Sequence, residues 1–298
     1  MSATAAERRP GPVQVRGEIL ASRRVGDYRH LTLLAPGVAE SARPGHFVAL
    51  TVGGEPTSML LRRSFSIHKV SPTGVYGGTV DVVVADAGRG THWLTSQPVG
   101  TPVDVVGPVG RAFPLPKEPV SCVLVGGGYG TAPLFWLAES LRERGCRVDI
   151  VLGAATESRL FGVVEARRVA TTATVTTDDG SAGTRGMVTA VLSDVIERTD
   201  ASVVYACGPM GMLRAVTDVA SAHGAVAQVA VEEAMACGVG ICMTCVMPVV
   251  GADGQTRMVR SCVEGPVFRG DRVRWESWVD GIGQVPDDCV GAAAMKGH

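Results

Sequence analysis

Three cysteines within nine residues, Cys237, Cys242 and Cys245, with a fourth at Cys262, constrain this chain more than any other feature. A segment this short cannot bury enough apolar surface to hold itself together, so another staple is needed. Cys-x4-Cys-x2-Cys with a later cysteine is the spacing of thiolates around a plant-type [2Fe–2S] cluster. Gly238 and Gly240 fall in the four-residue gap, where they let backbone amides turn inward toward the sulfurs. Zinc sites use more closely paired ligands, and this gap suits them less. Disulfides require an oxidising compartment, yet Met1–Pro10 carries charge with no apolar stretch behind it to act as an export signal. The cysteines therefore point to a metal centre in a reducing compartment, with the cytoplasm as the expected location.

The formal net charge of -1 over 298 residues gives no basic excess for a nucleic-acid partner. No apolar run of about 18 residues occurs, so no membrane-spanning helix is expected. The length suits two domains and an appendage.

The first third reads as short strands: Val13–Leu20, His30–Leu34, His46–Val52, Ser64–His68, Thr79–Val84 and Pro102–Val106. Turn-forming pairs such as Pro44-Gly45 and Gly77-Gly78 separate them, which suggests an antiparallel barrel. From about Pro119 strands alternate with helices. Val123-Leu124-Val125, Val148–Leu152, Ala173–Thr177 and Ser202–Ala206 are the strands, and helices are expected at Ala132–Arg144, Thr189–Glu197 and Gly211–His223. That alternation indicates a doubly wound, parallel α/β domain. Val226–Val231 is a further strand, followed by the cysteines and a hairpin at 246–260. The expected organisation is a tail over 1–12, a barrel over 13–117, an α/β domain over 118–225, a small cysteine domain over 226–280 and a tail over 281–298.

Four further stretches can carry chemistry. Arg63-Ser64-Phe65-Ser66 opens a barrel strand, where Arg can pair with a phosphate and Ser can hydrogen-bond a flavin. Gly88-Arg89-Gly90-Thr91 opens a short helix and is either a phosphate-binding turn or an ordinary cap. Gly126-Gly127-Gly128-Tyr129-Gly130-Thr131 lies between strand and helix, the context of a pyrophosphate site, although such a turn is also a common α/β connection. Cys207-Gly208-Pro209 stands at the carboxyl end of a strand, the place for a nicotinamide, or equally for a buried Cys before a tight turn. Cys122, Cys146 and Cys289 read as packing or tail cysteines. His68 reads as a strand residue, and Asp178-Asp179-Gly180 as a turn.

Together these motifs resemble the ferredoxin-reductase-like flavoproteins. More closely, the chain resembles the electron-transfer subunits of NAD-linked bacterial dihydroorotate dehydrogenase. The matching stretches are Leu61–Ile67, Gly88–Thr91, Thr177–Ser181, Glu232–Gly238 and Cys262–Phe268. The resemblance implies FAD held by Arg63, Ser64, Phe65 and Ser66, by backbone around Val83, Val84 and Ala85, and by Gly90 and Thr91. It implies NAD(H) at Gly126, Gly127, Gly128, Gly130 and Thr131 and at Cys207, Gly208 and Pro209. It implies a [2Fe–2S] cluster on Cys237, Cys242, Cys245 and Cys262. The implied partner is an FMN-containing dihydroorotate dehydrogenase catalytic subunit, with electrons passing through the cluster and FAD to NAD in pyrimidine biosynthesis. Similar subunits serve hydrogenases and ferredoxin-NAD(P) oxidoreductases. A zinc-stapled binding module is the reading from another class, and NAD against NADP stays open.

Overall fold

The structure, a computed structural model, describes residues 11–54, 58–75, 77–279 and 282–290. Most of the two expected tails, residues 1–10 and 291–298, lies outside the described residues.

The first six strands are β1 (Val13–Val25), β2 (Tyr28–Leu34), β3 (Phe47–Leu50), β4 (Arg63–Ser71), β5 (Thr79–Ala85) and β6 (Pro102–Val109). They close into a barrel in the order β1-β2-β5-β4-β3-β6. Closure leaves no strand edge exposed to another chain. Short helices α1 (Val38–Ser41) and α2 (Arg89–Ser96) bridge β2 to β3 and β5 to β6. Alternate residues fill the interior: Leu31 and Leu33 on β2, Val80, Val82 and Val84 on β5, Val103 and Val105 on β6. Val83 points the other way and joins the core of the next domain.

That domain is built from β7 (Ser121–Gly127), α3 (Ala132–Glu143), β8 (Arg147–Ala154), α4 (Val163–Val169), β9 (Thr172–Thr177), β10 (Thr184–Arg185), α5 (Thr189–Thr199), β11 (Val203–Cys207), α6 (Met210–Ala222) and β12 (Val226–Ala230). β7 is apolar on both faces because helices cover both. Cys122 and Leu124 pack under α3 with Leu134, Leu137 and Leu141, while Val123 and Val125 pack against Leu192 and Val195 of α5 and Leu213 and Val216 of α6. Of Cys122, Cys146 and Cys289, the first two are core residues of this domain, as expected.

The remaining strands are β13 (Val246–Val250), β14 (Thr256–Arg260), β15 (Val267–Arg269), β16 (Trp278–Val279) and β17 (Ile282–Gly283). The sheet runs β10-β9-β8-β7-β11-β12-β15. The expected boundary after residue 225 therefore cuts a sheet. β12 pairs in parallel with β11, and β15 returns antiparallel on its outer side. The cysteine segment is an excursion from that edge, closed at its neck where the Val231 N–H donates to the Pro266 carbonyl at 2.9 Å. The Arg111 N–H donates to the Gly265 carbonyl at 2.6 Å and ties the same neck to the barrel just after β6.

The end of the chain also departs from expectation where it is described. Cys289 is buried, Asp288 pairs with Arg274 at 2.8 Å, and the Val290 N–H donates to the Thr256 carbonyl at 2.9 Å. Residues 282–290 are thus packed on the β13–β14 hairpin rather than forming part of a loose tail.

Candidate functional site

A cavity of about 310 Å³ opens where the three parts of the chain meet. Ser64, Phe65, Ser66 and Val83 line it from the barrel, Gly130 and Cys207 from the sheet, and Glu232, Glu233 and Met235 from the start of the cysteine segment. Arg63 stands beside it at the start of β4. Its Nη1 donates to the Leu61 carbonyl at 2.8 Å. A Cβ placed on Gly90 would stand 2.8 Å from Arg63 Nε, so the guanidinium lies over the first turn of α2. Among the described residues Arg63 forms no ion pair. A cation without a counter-ion against a helix N-terminus fits a flavin dinucleotide's phosphates. The Thr91 hydroxyl is already engaged: it accepts the N–H groups of Ala87 and Gly88, each at 3.0 Å. Val84 faces the barrel interior, which leaves only its backbone for a ligand.

Gly126–Thr131 and Cys207-Gly208-Pro209 come together at the carboxyl ends of β7 and β11, the two parallel neighbours from which the chain winds in opposite directions. A Cβ on Gly130 would stand 2.8 Å from the Cys207 carbonyl oxygen, so the two turns touch only because this residue is glycine. The Thr131 hydroxyl donates to the Gly128 carbonyl at 2.8 Å and closes the turn. Burial pushes the Cys207 thiol well above the usual range, which keeps it neutral. A second cavity, about 400 Å³, runs from Gly127, Gly128 and Pro209 across Gly153 and Ala154 to Thr176 and Asp178. The close packing of these turns beside an open, Gly-lined channel fits a dinucleotide.

The cysteines form two contacting pairs, Cys237 with Cys242 and Cys245 with Cys262. The N–H groups of Val239, Ile241 and Cys242 all approach Cys237 Sγ at 3.4 Å. Hydrogen bonds from Thr244 and Cys237 hold the Cys242 thiol down at about 6, while burial pushes Cys262 up to about 12. Gly240 has φ +84°, and a Cβ there would collide with Val263. Among the described residues no three side chains converge as the ligands of one ion would. Two thiol pairs under inward-turned amides instead fit the donor set of a two-iron cluster. This loop is not remote from the first cavity. Cys245 and Cys262 pack with Phe47 and Val109 of the barrel, and a Cβ on Gly238 would stand 3.2 Å from Ser64 Oγ.

Sequence reasoning did not single out the side chains of Glu233, Tyr129 and Thr176. Glu233 Oε2 is buried in the first cavity without a hydrogen-bond partner among the described residues, and burial raises its pKa. Tyr129 and Glu232 are the two residues that line both cavities. His68, read as a strand residue, is buried on β4 and holds the domains together: its Nδ1 donates to the Ala132 carbonyl at 2.7 Å.

Comparison with known proteins supports these assignments of parts. The family described as "Iron-sulfur cluster binding domain of dihydroorotate dehydrogenase B" matches residues 232–274, and the "Oxidoreductase NAD-binding domain" matches 124–218. The dihydroorotate dehydrogenase B (NAD(+)) electron transfer subunit of Geobacillus thermodenitrificans is 40% identical over 82% of this chain and 91% of its own length. That of Listeria monocytogenes is 32% identical over 88% of this chain and 99% of its own. A solved structure of an NADH-dependent reduced ferredoxin-NADP oxidoreductase, reported for its insights into flavin-based electron bifurcation, superimposes with a TM-score of 0.78. It is 29% identical and covers 95% of this chain and 98% of its own. The ferredoxin NADP+ reductase of Neisseria gonorrhoeae, solved with bound FAD and NADP, shares the fold at 15% identity and a TM-score of 0.57, over 71% of this chain and 92% of its own. The barrel, the sheet and the cysteine module thus occur together in relatives that match nearly end to end, and the chain belongs to the family of dihydroorotate dehydrogenase B (NAD(+)) electron transfer subunits.

Proposed function

We propose that this chain carries electrons between an FMN-containing dihydroorotate dehydrogenase catalytic subunit and NAD in the cytoplasm, using the residues assembled around the three-way cavity. The observation that carries this reading is that one cavity touches all three parts, from Ser64–Ser66 to Cys207 to Glu232–Met235. When bound, FAD and a [2Fe–2S] cluster convert hydride exchange with NAD into one-electron exchange with the partner. Cys237, Cys242, Cys245 and Cys262 are the ligands of the cluster. Arg63 neutralises the flavin's phosphates, and Ser64 and Ser66 orient its ring. Gly126–Thr131 and Cys207–Pro209 receive the nicotinamide dinucleotide. Phe47, Ala132 and Pro133 exclude water from the cavity. Glu233 Oε2 is a buried atom that can hold a proton there.

The test is reconstitution with the catalytic subunit of a dihydroorotate dehydrogenase B. Dihydroorotate-dependent reduction of NAD+ should require this chain and be lost with Cys242→Ser. A second reading, a subunit serving a ferredoxin-NAD(P) oxidoreductase, draws support from the superposition at a TM-score of 0.78. Electron transfer from reduced ferredoxin with none from dihydroorotate would favour it.

A further inference from the structure

Three of the four clustered cysteines have a hydrogen-bond donor of their own. Cys237 Sγ accepts the N–H groups of Val239, Ile241 and Cys242, each at 3.4 Å. Thr244 hydrogen-bonds Cys242, and the Gly240 backbone hydrogen-bonds Cys262. Cys245 differs. It touches Cys262, but among the described residues nothing outside that pair donates to its sulfur. Cys245 is also buried, so solvent does not supply the missing donor.

A donor without an acceptor stands opposite it. Ser261 is fully buried, and its Oγ has no hydrogen-bond partner among the described residues. A buried hydroxyl left in that state is costly and calls for an explanation. The hairpin fixes where this one lies. β13 pairs with β14 in the register Val246↔Arg260, and one step further the Ser261 N–H donates to the Cys245 carbonyl at 2.9 Å. Residues directly opposite across an antiparallel pair project from the same face, with Cβ atoms about 5 Å apart. Cys245 and Ser261 therefore leave the hairpin side by side. That face is the inner one, because Met247, which shares it, is fully buried.

The charge on the sulfur decides whether the hydroxyl is held. A thiol is a weak acceptor, whereas an iron-bound thiolate carries negative charge and accepts strongly. Ser261 has one side-chain torsion with which to aim its hydroxyl at the sulfur. Neither atom needs solvent-accessible surface for this contact, since both belong to the same buried hairpin end. The cation that acts on both Cys245 and Cys262 is Arg260, and it is already engaged. Its Nη2 pairs with Glu264 Oε1 at 2.7 Å, and its Nη1 donates to the Gly240 carbonyl at 3.0 Å. The Ser261 hydroxyl is the donor left over.

We infer that Ser261 donates a hydrogen bond to the Cys245 sulfur in the iron-loaded chain and thereby raises the reduction potential of the cluster. Hydrogen bonds to the sulfurs are one of the levers on an iron–sulfur potential. Reduction adds one electron and so more negative charge to the sulfurs. The same hydrogen bond is then stronger in the reduced state and stabilises it more. Ser261 acts through Cys245 and is a positioning residue of the relay. The inference rests on the reading of the four cysteines as cluster ligands.

The experiment is a redox titration of the FAD- and iron-loaded chain, followed by the EPR signal of the reduced cluster, with iron content measured on each preparation. The unmodified chain is compared with Ser261→Ala and Ser261→Thr. Deleting an unpartnered oxygen leaves the packing intact, so Ser261→Ala should load the same amount of iron. Its midpoint potential should fall by about 59 mV, which is a tenfold loss of preference for the reduced state of a one-electron couple. Ser261→Thr keeps the hydroxyl and should stay near the unmodified value, whereas a change of packing alone would move both variants alike. An unchanged potential in Ser261→Ala, an equal fall in Ser261→Thr, or a Ser261→Ala chain that no longer loads iron would each overturn the inference and leave the ligand assignment standing. An unmodified chain that takes up no iron overturns both.

Discussion

Arg63→Ala should weaken FAD binding without touching the cluster, and the structure sets the size of the effect. The guanidinium lies against Gly90, at the start of α2, and among the described residues its hydrogen bonds run through Nη1 to the backbone of Leu61 and Arg62. Nε and Nη2 are left for a ligand. A charge-assisted contact to phosphate contributes about 1.5–3 kcal/mol, or about 10–150-fold in Kd. Arg63→Lys keeps the charge but loses the fork geometry, so it should fall between the two. Gly90→Ala offers an independent perturbation of the same point. Its Cβ would stand 2.8 Å from Arg63 Nε and push the guanidinium aside without removing it. The assay is recovery of flavin fluorescence on titrating FAD into flavin-free chain, with iron content measured in parallel. Arg63→Ala with an unaltered Kd would remove this residue from the flavin site, whatever Gly90→Ala does.

Three further outcomes follow from the geometry. Cys242→Ser should lose most bound iron while retaining FAD, because Cys242 is exposed on the loop and Arg63 belongs to the barrel; iron and flavin contents of one preparation decide it. Gly130→Ala should cost about 1–3 kcal/mol in stability and weaken ADP-ribose binding, since its Cβ would enter the Cys207-Gly208 turn; denaturant unfolding and calorimetry read the two effects. Burial raises the Glu233 pKa in the folded protein, so the carboxyl's contribution is full below the unfolded value and is lost as pH rises through the folded one. Glu233→Gln should therefore raise Tm at about pH 8 and change it little near about pH 4.5. The opposite pattern would mean that the Glu233 carboxylate is stabilised by a partner.

The barrel was legible because its strands alternate inside and outside residues and are separated by strong turn formers, and the cysteine spacing was legible because ligand geometry fixes it. Helix α4 was not read. Among its residues only Ala166 is buried, so Val163–Val169 carries almost no apolar period. β15 is three residues long, and it becomes a strand only by pairing with β12 across the whole cysteine excursion. Parallel pairing with β11 placed Val226–Ala230 in the sheet, although adjacency along the chain suggested the cysteine segment. The packed stretch at 282–290 was missed because its composition is that of a tail, while Arg274 and Thr256 anchor it from elsewhere. Glu233 and Thr176 carry no local motif. Each becomes a candidate only when the fold buries a polar atom beside a cavity and leaves it without a partner.

A relay between a nicotinamide, a flavin and an iron–sulfur cluster within one chain is the reading on which everything above rests. Anaerobic titration of the purified chain with NADH, followed by visible absorption, tests it most directly. A flavin band and a broad iron–sulfur band should both bleach as NADH is added. A chain that stays colourless after cofactor reconstitution, or one whose bands NADH leaves unchanged, would contradict it.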